Sequence, residues 1–227
     1  MAKSLLIELF TTPSERDRQV LAGPSVLGSA CNRCVWRALS KTEDSWVQSP
    51  YWLGAVIGTA VHLLAETKIK ATRPDLVAEP KIVIGELEGY GTIKGSTDCY
   101  QSRTLTLFDW KGTKRKDKPS LLAAYANMAP VEGEPGTHKK ARLKLRNYVG
   151  QLHLYGLGMI KAGGTVEKLR IEFFCRDGVG DDDIIVMEFD YDLDFAQALW
   201  NRIEYIWNHM DEEYEAQPHC FPCEMEV

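Results

Sequence analysis

No stretch of this 227-residue chain stays apolar long enough to cross a bilayer as a helix, which argues against a helical membrane span. A leader pattern is missing too. The opening Met1-Ala2-Lys3-Ser4-Leu5-Leu6 runs at once into acids and arginines, so no signal peptide is expected and the chain reads as cytoplasmic. Disulfides are rare in that compartment, and the six cysteines therefore point to metal or to chance rather than to bridges. Positive charge is also in deficit: the net charge is −5, which by itself argues against a nucleic-acid partner. What is present is ample apolar content, 44%, for a core, over a length that suits one large domain or two small ones.

The distribution of charge reverses the impression left by its sum. Arg103 to Arg146 holds 11 Lys/Arg against 4 Asp/Glu, whereas Glu167 to Val227 holds 4 against 17. A basic middle beside an acidic end reads as one face built for a polyanion, the alternative being ordinary solvated charge. The basic residues fall in two clusters. Lys114, Arg115, Lys116 and Lys118 form one, and His138, Lys139, Lys140, Arg142, Lys144 and Arg146 form the other. Contacts from such groups to phosphates supply affinity that is mostly independent of sequence.

The cysteines form two C-x-x-C pairs at opposite ends, Cys31/Cys34 and Cys220/Cys223. On a helix starting near Ser25, Cys31 and Cys34 lie one turn apart and face one point. Four thiolates are the count for a structural Zn²⁺ or an iron–sulfur cluster. The gap between the pairs far exceeds that of a zinc finger, so residues 25–40 and 218–227 would clasp the chain ends together. Unrelated cysteines are the alternative, and Cys99 and Cys175, in strand-like runs, read as plain core residues.

Along the chain, Ser14 with Asp17 suggests a helix start. Residues 51–70 predict a mainly apolar helix containing His62, which reads either as a buried core histidine or as a metal ligand. From Pro80 the pattern turns to strands: 81–84, 91–95 and the pair around Gly95–Tyr100 and Leu105–Asp109, joined by a polar turn at Gln101–Arg103. These read as a meander of about three antiparallel strands, with Glu86 and Glu88 as solvent-face charges. Residues 112–147 read as a long polar connection. A helix follows at 141–162, with Tyr148, Leu152, Tyr155 and Met159 in one stripe. Then come a strand at 166–175, a turn whose Asp181, Asp182 and Asp183 read as solvated charge, a strand at 184–189 and a helix at about 192–215 burying Phe195, Leu199, Ile203, Ile206 and Trp207.

The chemistry concentrates where the two central strands end. Asp109 and Lys111 are two apart, so in a strand they project from one face, with Asp98 on the neighbouring strand. Two carboxylates and an ammonium at a strand end suit a hard divalent cation and an attacking water. A surface ion pair on an edge strand is the alternative reading of the same residues.

The ordered set Gly58-Thr59-Ala60-Val61-His62, Gly95-Ser96-Thr97-Asp98, Asp109-Trp110-Lys111-Gly112 and Gln151-Leu152-His153-Leu154-Tyr155 resembles the RecB-like branch of the PD-(D/E)XK nuclease superfamily. The terminal cysteines make the match look closest to its iron–sulfur exonucleases of the CRISPR-associated and AddB-like type. Those commonly carry one N-terminal and three C-terminal cysteines, whereas the split here is two and two. The resemblance implies an α/β restriction-endonuclease-like core, a central mixed sheet flanked by helices, in one nuclease domain spanning the chain. It implies His62, Asp98 and Asp109, with the Trp110 carbonyl, as ligands of Mg²⁺ or Mn²⁺. Asp98, Asp109, Lys111, Gln151 and Tyr155 become the catalytic set, and Lys114, Arg115, Lys116, Lys139, Lys140 and Arg142 the DNA contacts. Cys31, Cys34, Cys220 and Cys223 would hold a 4Fe-4S cluster, or structural Zn²⁺. The expected activity is a DNA exonuclease acting on single-stranded or end-containing DNA in recombination, replication or repair, in a prokaryotic or phage-infected cell. A non-catalytic four-cysteine adaptor on the same fold and a site-specific endonuclease are the competing expectations.

Overall fold

A computed structural model describes residues 21–41, 52–129, 133–218, 220 and 223, with the side chains of 52 and 53 set aside. The helix start expected at Ser14 lies outside the described residues. Two short helices open the description, α1 (Pro24–Leu27) and α2 (Asn32–Leu39), followed by the long α3 (Trp52–Thr72). Strands β1 (Leu76–Ala78), β2 (Lys81–Leu87), β3 (Gly91–Ser96), β4 (Cys99–Gln101) and β5 (Thr106–Thr113) come next. Helices α4 (Lys118–Ala126) and α5 (Gly136–Lys161) lead to β6 (Lys168–Cys175), β7 (Ile184–Asp190) and α6 (Leu193–Asn208).

The main sheet has the order β1-β4-β5-β6-β7, while β2 and β3 pair in a separate two-stranded sheet. Its centre is mixed, because β5 and β6 run parallel and every other neighbouring pair is antiparallel. A parallel pair needs a crossover, and α5 lies within the segment that connects them. Along β6, Leu169, Ile171, Phe173 and Cys175 are buried in alternation, the period-2 pattern of a strand with one face on a core. That face meets α5, which buries Leu145, Leu152, Leu154 and Leu157. The architecture is the α/β core with a mixed sheet and flanking helices that the motifs imply.

Several expectations need correction. The meander is broken: after β3 the chain leaves the two-stranded sheet and joins the main one through Thr97 and Asp98. Thr97 Oγ1 donates to the Phe108 carbonyl (2.6 Å) and Asp98 N–H to the same oxygen (3.2 Å). The stretch 112–147 is largely helical, because Pro119 suits the first turn of α4 and α5 begins at Gly136. The last helix stops at Asn208, where Asp211, Glu212 and Glu213 would oppose the negative end of its dipole. Phe195 is exposed on it, its edge against the His153 ring. Finally, α3 is apolar but mostly unburied. Ile69 is its one buried residue among those described, and Leu63 and Leu64 are more than 60% exposed.

The expected continuous helix from Ser25 is split at Gly28, and packing explains the break. Gly28 crosses α5 at Gly150, so closely that a Cβ on Gly28 would lie 2.3 Å from the Gln151 nitrogen. One on Gly150 would lie 2.3 Å from the Gly28 carbonyl oxygen. A backbone atom cannot swing aside as a flexible side chain does. Gly28→Ala is therefore expected to cost about 1–3 kcal/mol in urea unfolding, as overpacked sites do. Wild-type stability in that variant would show that the crossing is loose.

Candidate active site and metal centre

Asp109 and Lys111 lie on the α5-facing side of β5, in the row begun by Leu107. The carboxylate is 2% exposed, and Lys111 Nζ sits 2.9 Å from both of its oxygens. Gln151 on α5 donates weakly to Oδ1 at 3.4 Å. Burial pushes the Asp109 carboxyl up to about 6, with the Lys111 charge pulling the other way. Gln151, which on its own reads as a solvent-facing residue, is buried because the Gly28–Gly150 crossing brings that turn of α5 inward.

The neighbouring half of the site is tied to α3. His62 Nδ1 is 2.9 Å from Asp98 Oδ1, and Nε2 is 3.1 Å from the Trp110 carbonyl. The Trp110 N–H donates to Asp98 Oδ2 at 2.5 Å. Both ring nitrogens of His62 thus face acceptors, a carboxylate and a main-chain oxygen, and the hydrogen bond and charge of Asp98 raise its pKa. Trp110 is held in turn through its indole N–H to Glu172 (3.2 Å). The structure thus brings together five of the predicted residues, His62, Asp98, Asp109, Lys111 and Gln151, around one end of β5.

Tyr155 is buried on α5. Its hydroxyl lies against Gly95 on β3, where a Cβ would be 3.0 Å away. Tyr148, two turns nearer the start of α5, is the ring on which Lys111 rests, 5.0 Å from Nζ to centroid. Tyr148 read simply as one member of the α5 stripe, since nothing in the spacing distinguishes it from Tyr155.

The basic clusters divide in the same way. Lys114 and Lys116 are exposed, and Lys139 and Lys140 lie on the first turns of α5. Arg115 is committed to Asp183 (2.9 and 2.5 Å), with its main-chain N–H on Asp177 (2.8 Å). Asp183 is accordingly buried rather than solvated, and Arg115 holds its carboxyl well below the usual range. Arg142 is buried in a bidentate pair with Glu134.

Whether a divalent cation fits can be judged from the donors. Gln151 Oε1 is a buried acceptor without a hydrogen-bond donor, and Asp109 Oδ2 is buried with the Lys111 ammonium as its charge partner. Asp98 and the Trp110 carbonyl present further hard oxygens of the kind Mg²⁺ takes. His62, Asp98 and Asp109 do not close into a tight ligand cluster in this arrangement. The His62 ring bridges Asp98 and the Trp110 carbonyl, and the Lys111 ammonium sits on Asp109, so to take a cation His62 would turn a ring nitrogen toward it and Lys111 would give way at Asp109. The donor set fits such an ion in its chemistry.

The four cysteines do form a tight cluster. Cys31, Cys34, Cys220 and Cys223 are all buried, with their sulfurs within 4.8 Å of one another. Individual separations are 3.3 Å for Cys34–Cys220, 3.4 Å for Cys34–Cys223 and 3.8 Å for Cys31–Cys223. The hydrogen bond from the Cys34 thiol, with the Gln217 N–H, lowers the Cys31 pKa to about 4, while that same hydrogen bond to Cys31, together with burial, pushes the Cys34 thiol far up. Four thiols this close cannot all ionise unaided, because each new thiolate repels the last; a cation would remove that barrier. Cys99 and Cys175 are buried elsewhere as core residues.

No protein-family model and no curated protein matches this sequence. Solved structures do match its fold. An alkaline exonuclease from Laribacter hongkongensis superposes with a TM-score of 0.55 at 10% identity, covering 87% of this chain and 93% of that one. The same enzyme in complex with dAMP gives 0.50 at 11% identity, covering 90% and 92%. The chain therefore shares the fold of these structures over most of its length, at a sequence identity of 10–11%.

Proposed function

We propose that this protein is a metal-dependent DNA exonuclease of the RecB-like PD-(D/E)XK type, preferring single-stranded or end-containing DNA. The observation that carries the reading is the convergence of Asp98, Asp109 and Lys111, with His62 from α3 and Gln151 from α5, at one end of β5. The shared fold of the Laribacter enzyme, which binds dAMP, supports a nucleic-acid substrate. Asp109, Asp98, His62 and the Trp110 carbonyl would hold Mg²⁺ or Mn²⁺. When bound, such an ion lowers the pKa of water and neutralises charge developing on phosphate. Lys111, held between Asp109 and the Tyr148 ring, would hold the attacking water and donate to the phosphate oxygens. Gln151 keeps the Asp109 carboxylate turned into the site. Lys114 and Lys116, exposed just beyond β5, would meet the strand as it enters.

Cys31, Cys34, Cys220 and Cys223 would hold a structural metal that joins the chain ends. Their spacing suits one tetrahedral ion, for which a Zn–S bond of about 2.3 Å places sulfurs about 3.8 Å apart. The 4Fe-4S cluster implied by the family resemblance would require the four sulfurs to spread, each to its own iron.

Incubation with labelled linear single strands, linear duplexes and closed circles, with Mg²⁺, Mn²⁺ or EDTA, tests the activity. Release of mononucleotides or short products from linear DNA, abolished by EDTA, is expected. Cutting of closed circles would instead identify an endonuclease. Binding without cleavage under every metal condition would identify a non-catalytic adaptor.

A further inference from the structure

The face of the sheet opposite α5 is not sealed by α3. Between them lies a cleft of about 450 Å³, walled by α3 on one side and by Phe108, Trp110, Arg170 and Glu172 on the other. That volume falls within the range of small-molecule sites, about 300–1,000 Å³. Strand alternation accounts for the lining. Leu107 and Asp109 turn toward α5, so Phe108 and Trp110 of β5 turn the other way, and Arg170 and Glu172 do the same on β6. Arg170 is fixed from two sides. Its guanidinium carbon lies 5.5 Å from the centroid of the Phe108 ring, and its Nε donates to Glu172 Oε1 at 2.7 Å. The other Glu172 oxygen accepts the Trp110 indole N–H at 3.2 Å. Both carboxylate oxygens are thus used to hold the wall, and a planar cation stands ready in the cleft. Lys68 and Arg73 also line it, Arg73 being paired with Asp75, so cations exceed carboxylates there.

The cleft meets the candidate active site at Trp110. β4 pairs with β5 only as far as Phe108, which leaves the next stretch of that edge to Asp98 and His62. The Trp110 main chain bonds to both of them. Its ring packs edge to face with the His62 ring, centroids 6.0 Å apart, and also walls the cleft. One residue at the uncovered edge of β5 therefore belongs to both places, and Ala65, on the α3 wall, lies one helical turn beyond His62. Arginine planes and aromatic rings are the surfaces on which unstacked bases stack. We propose that this cleft receives one unstacked base of the substrate strand, laid against the Arg170 guanidinium. A base that is paired and stacked in a duplex cannot enter, which gives a preference for single strands a physical cause. The inference rests on the nuclease reading above and deepens it by naming what the strand must offer.

Fluorescence anisotropy of the full chain in EDTA tests the cleft, using a labelled single-stranded oligonucleotide and an abasic strand of the same length and charge. The wild type is expected to bind the strand with bases more tightly. Arg170→Lys keeps the charge opposite Glu172 but loses the planar face, and Phe108→Leu removes the ring beneath it. Each is expected to reduce the ratio of the two affinities by about fivefold or more, the lower end of what one stacked base contributes. Affinity for the abasic strand stays at the wild-type value in both, which shows that they are folded. Tyr205→Leu, at an exposed tyrosine on α6, leaves the ratio unaltered. A wild-type ratio in both Arg170→Lys and Phe108→Leu overturns the cleft alone, as does a wild type that binds both strands equally. An equal loss in Tyr205→Leu also overturns it, since stacking is then diffuse. A wild-type protein that binds neither strand overturns the nuclease reading and the cleft with it.

Discussion

Asp109→Asn and Lys111→Gln are each expected to reduce DNA cleavage by about 10²–10⁴-fold or more, the range for losing a positioned acid–base group, while the protein remains folded. The Asp109 carboxyl is buried, and burial, against the pull of the Lys111 charge, raises its pKa to about 6 from an ordinary value near 3.8. A raised carboxyl pKa contributes stability below the unfolded value and loses it as pH rises through the folded one. Above about pH 6 the ionised side chain therefore weighs against the fold, and the isosteric asparagine removes that burden. Lys111, about one-fifth exposed, can turn to solvent when its partner is neutral. Without divalent metal at about pH 8, Asp109→Asn should consequently melt no lower than wild type. A folded Asp109→Asn or Lys111→Gln protein that still cleaves at the wild-type rate would remove these residues from the mechanism.

Cys31→Ser or Cys223→Ser is expected to lower the melting temperature by on the order of 10 °C. The cluster joins residues nearly two hundred positions apart, and a cross-link closing so long a loop stabilises by about 5 kcal/mol on the chain-entropy model. For a chain of this length each kcal/mol corresponds to about 2–4 °C. The four buried thiols without a metal repel one another as they ionise, so a chelator strong enough to strip the centre should reproduce the effect. Metal analysis and a visible spectrum on the same anaerobic sample identify the occupant. One zinc and no colour mark a single tetrahedral ion, whereas a brown protein with about four irons marks a cluster. An unchanged melting temperature in both serine variants would show that the clasp does not hold the ends.

These two expectations draw on different levels of information. The Asp109-x-Lys111 pair was legible because a strand has a period of two, which puts both side chains on one face whatever surrounds them. Asp98 was legible as a neighbour of Asp109 because a short polar turn brings the chain back alongside itself, although Asp98 lies in the link between β3 and β4 rather than on a strand. The pairing of Cys31/Cys34 with Cys220/Cys223 was legible from chemistry, since two C-x-x-C motifs supply the ligand count of one centre. Long elements with clear periodicity, α5 and β6 above all, also followed from pattern.

Contacts between distant elements were not legible. Arg142 and Arg115 look like any other cation in a basic run, and only the folded chain sets Glu134 and Asp183 against them. Tyr148 and Tyr155 are equivalent members of one stripe until β5 places Lys111 over the first and β3 places Gly95 over the second. Nothing local forecast the break at Gly28, because it comes from the α5 backbone crossing there. The sequence by itself determined which residue types carry the chemistry and which pairs share a strand or a helix face, since those depend on local geometry. Tertiary structure alone decided which charges are spent on ion pairs and which stay available to a substrate, because that depends on long-range packing.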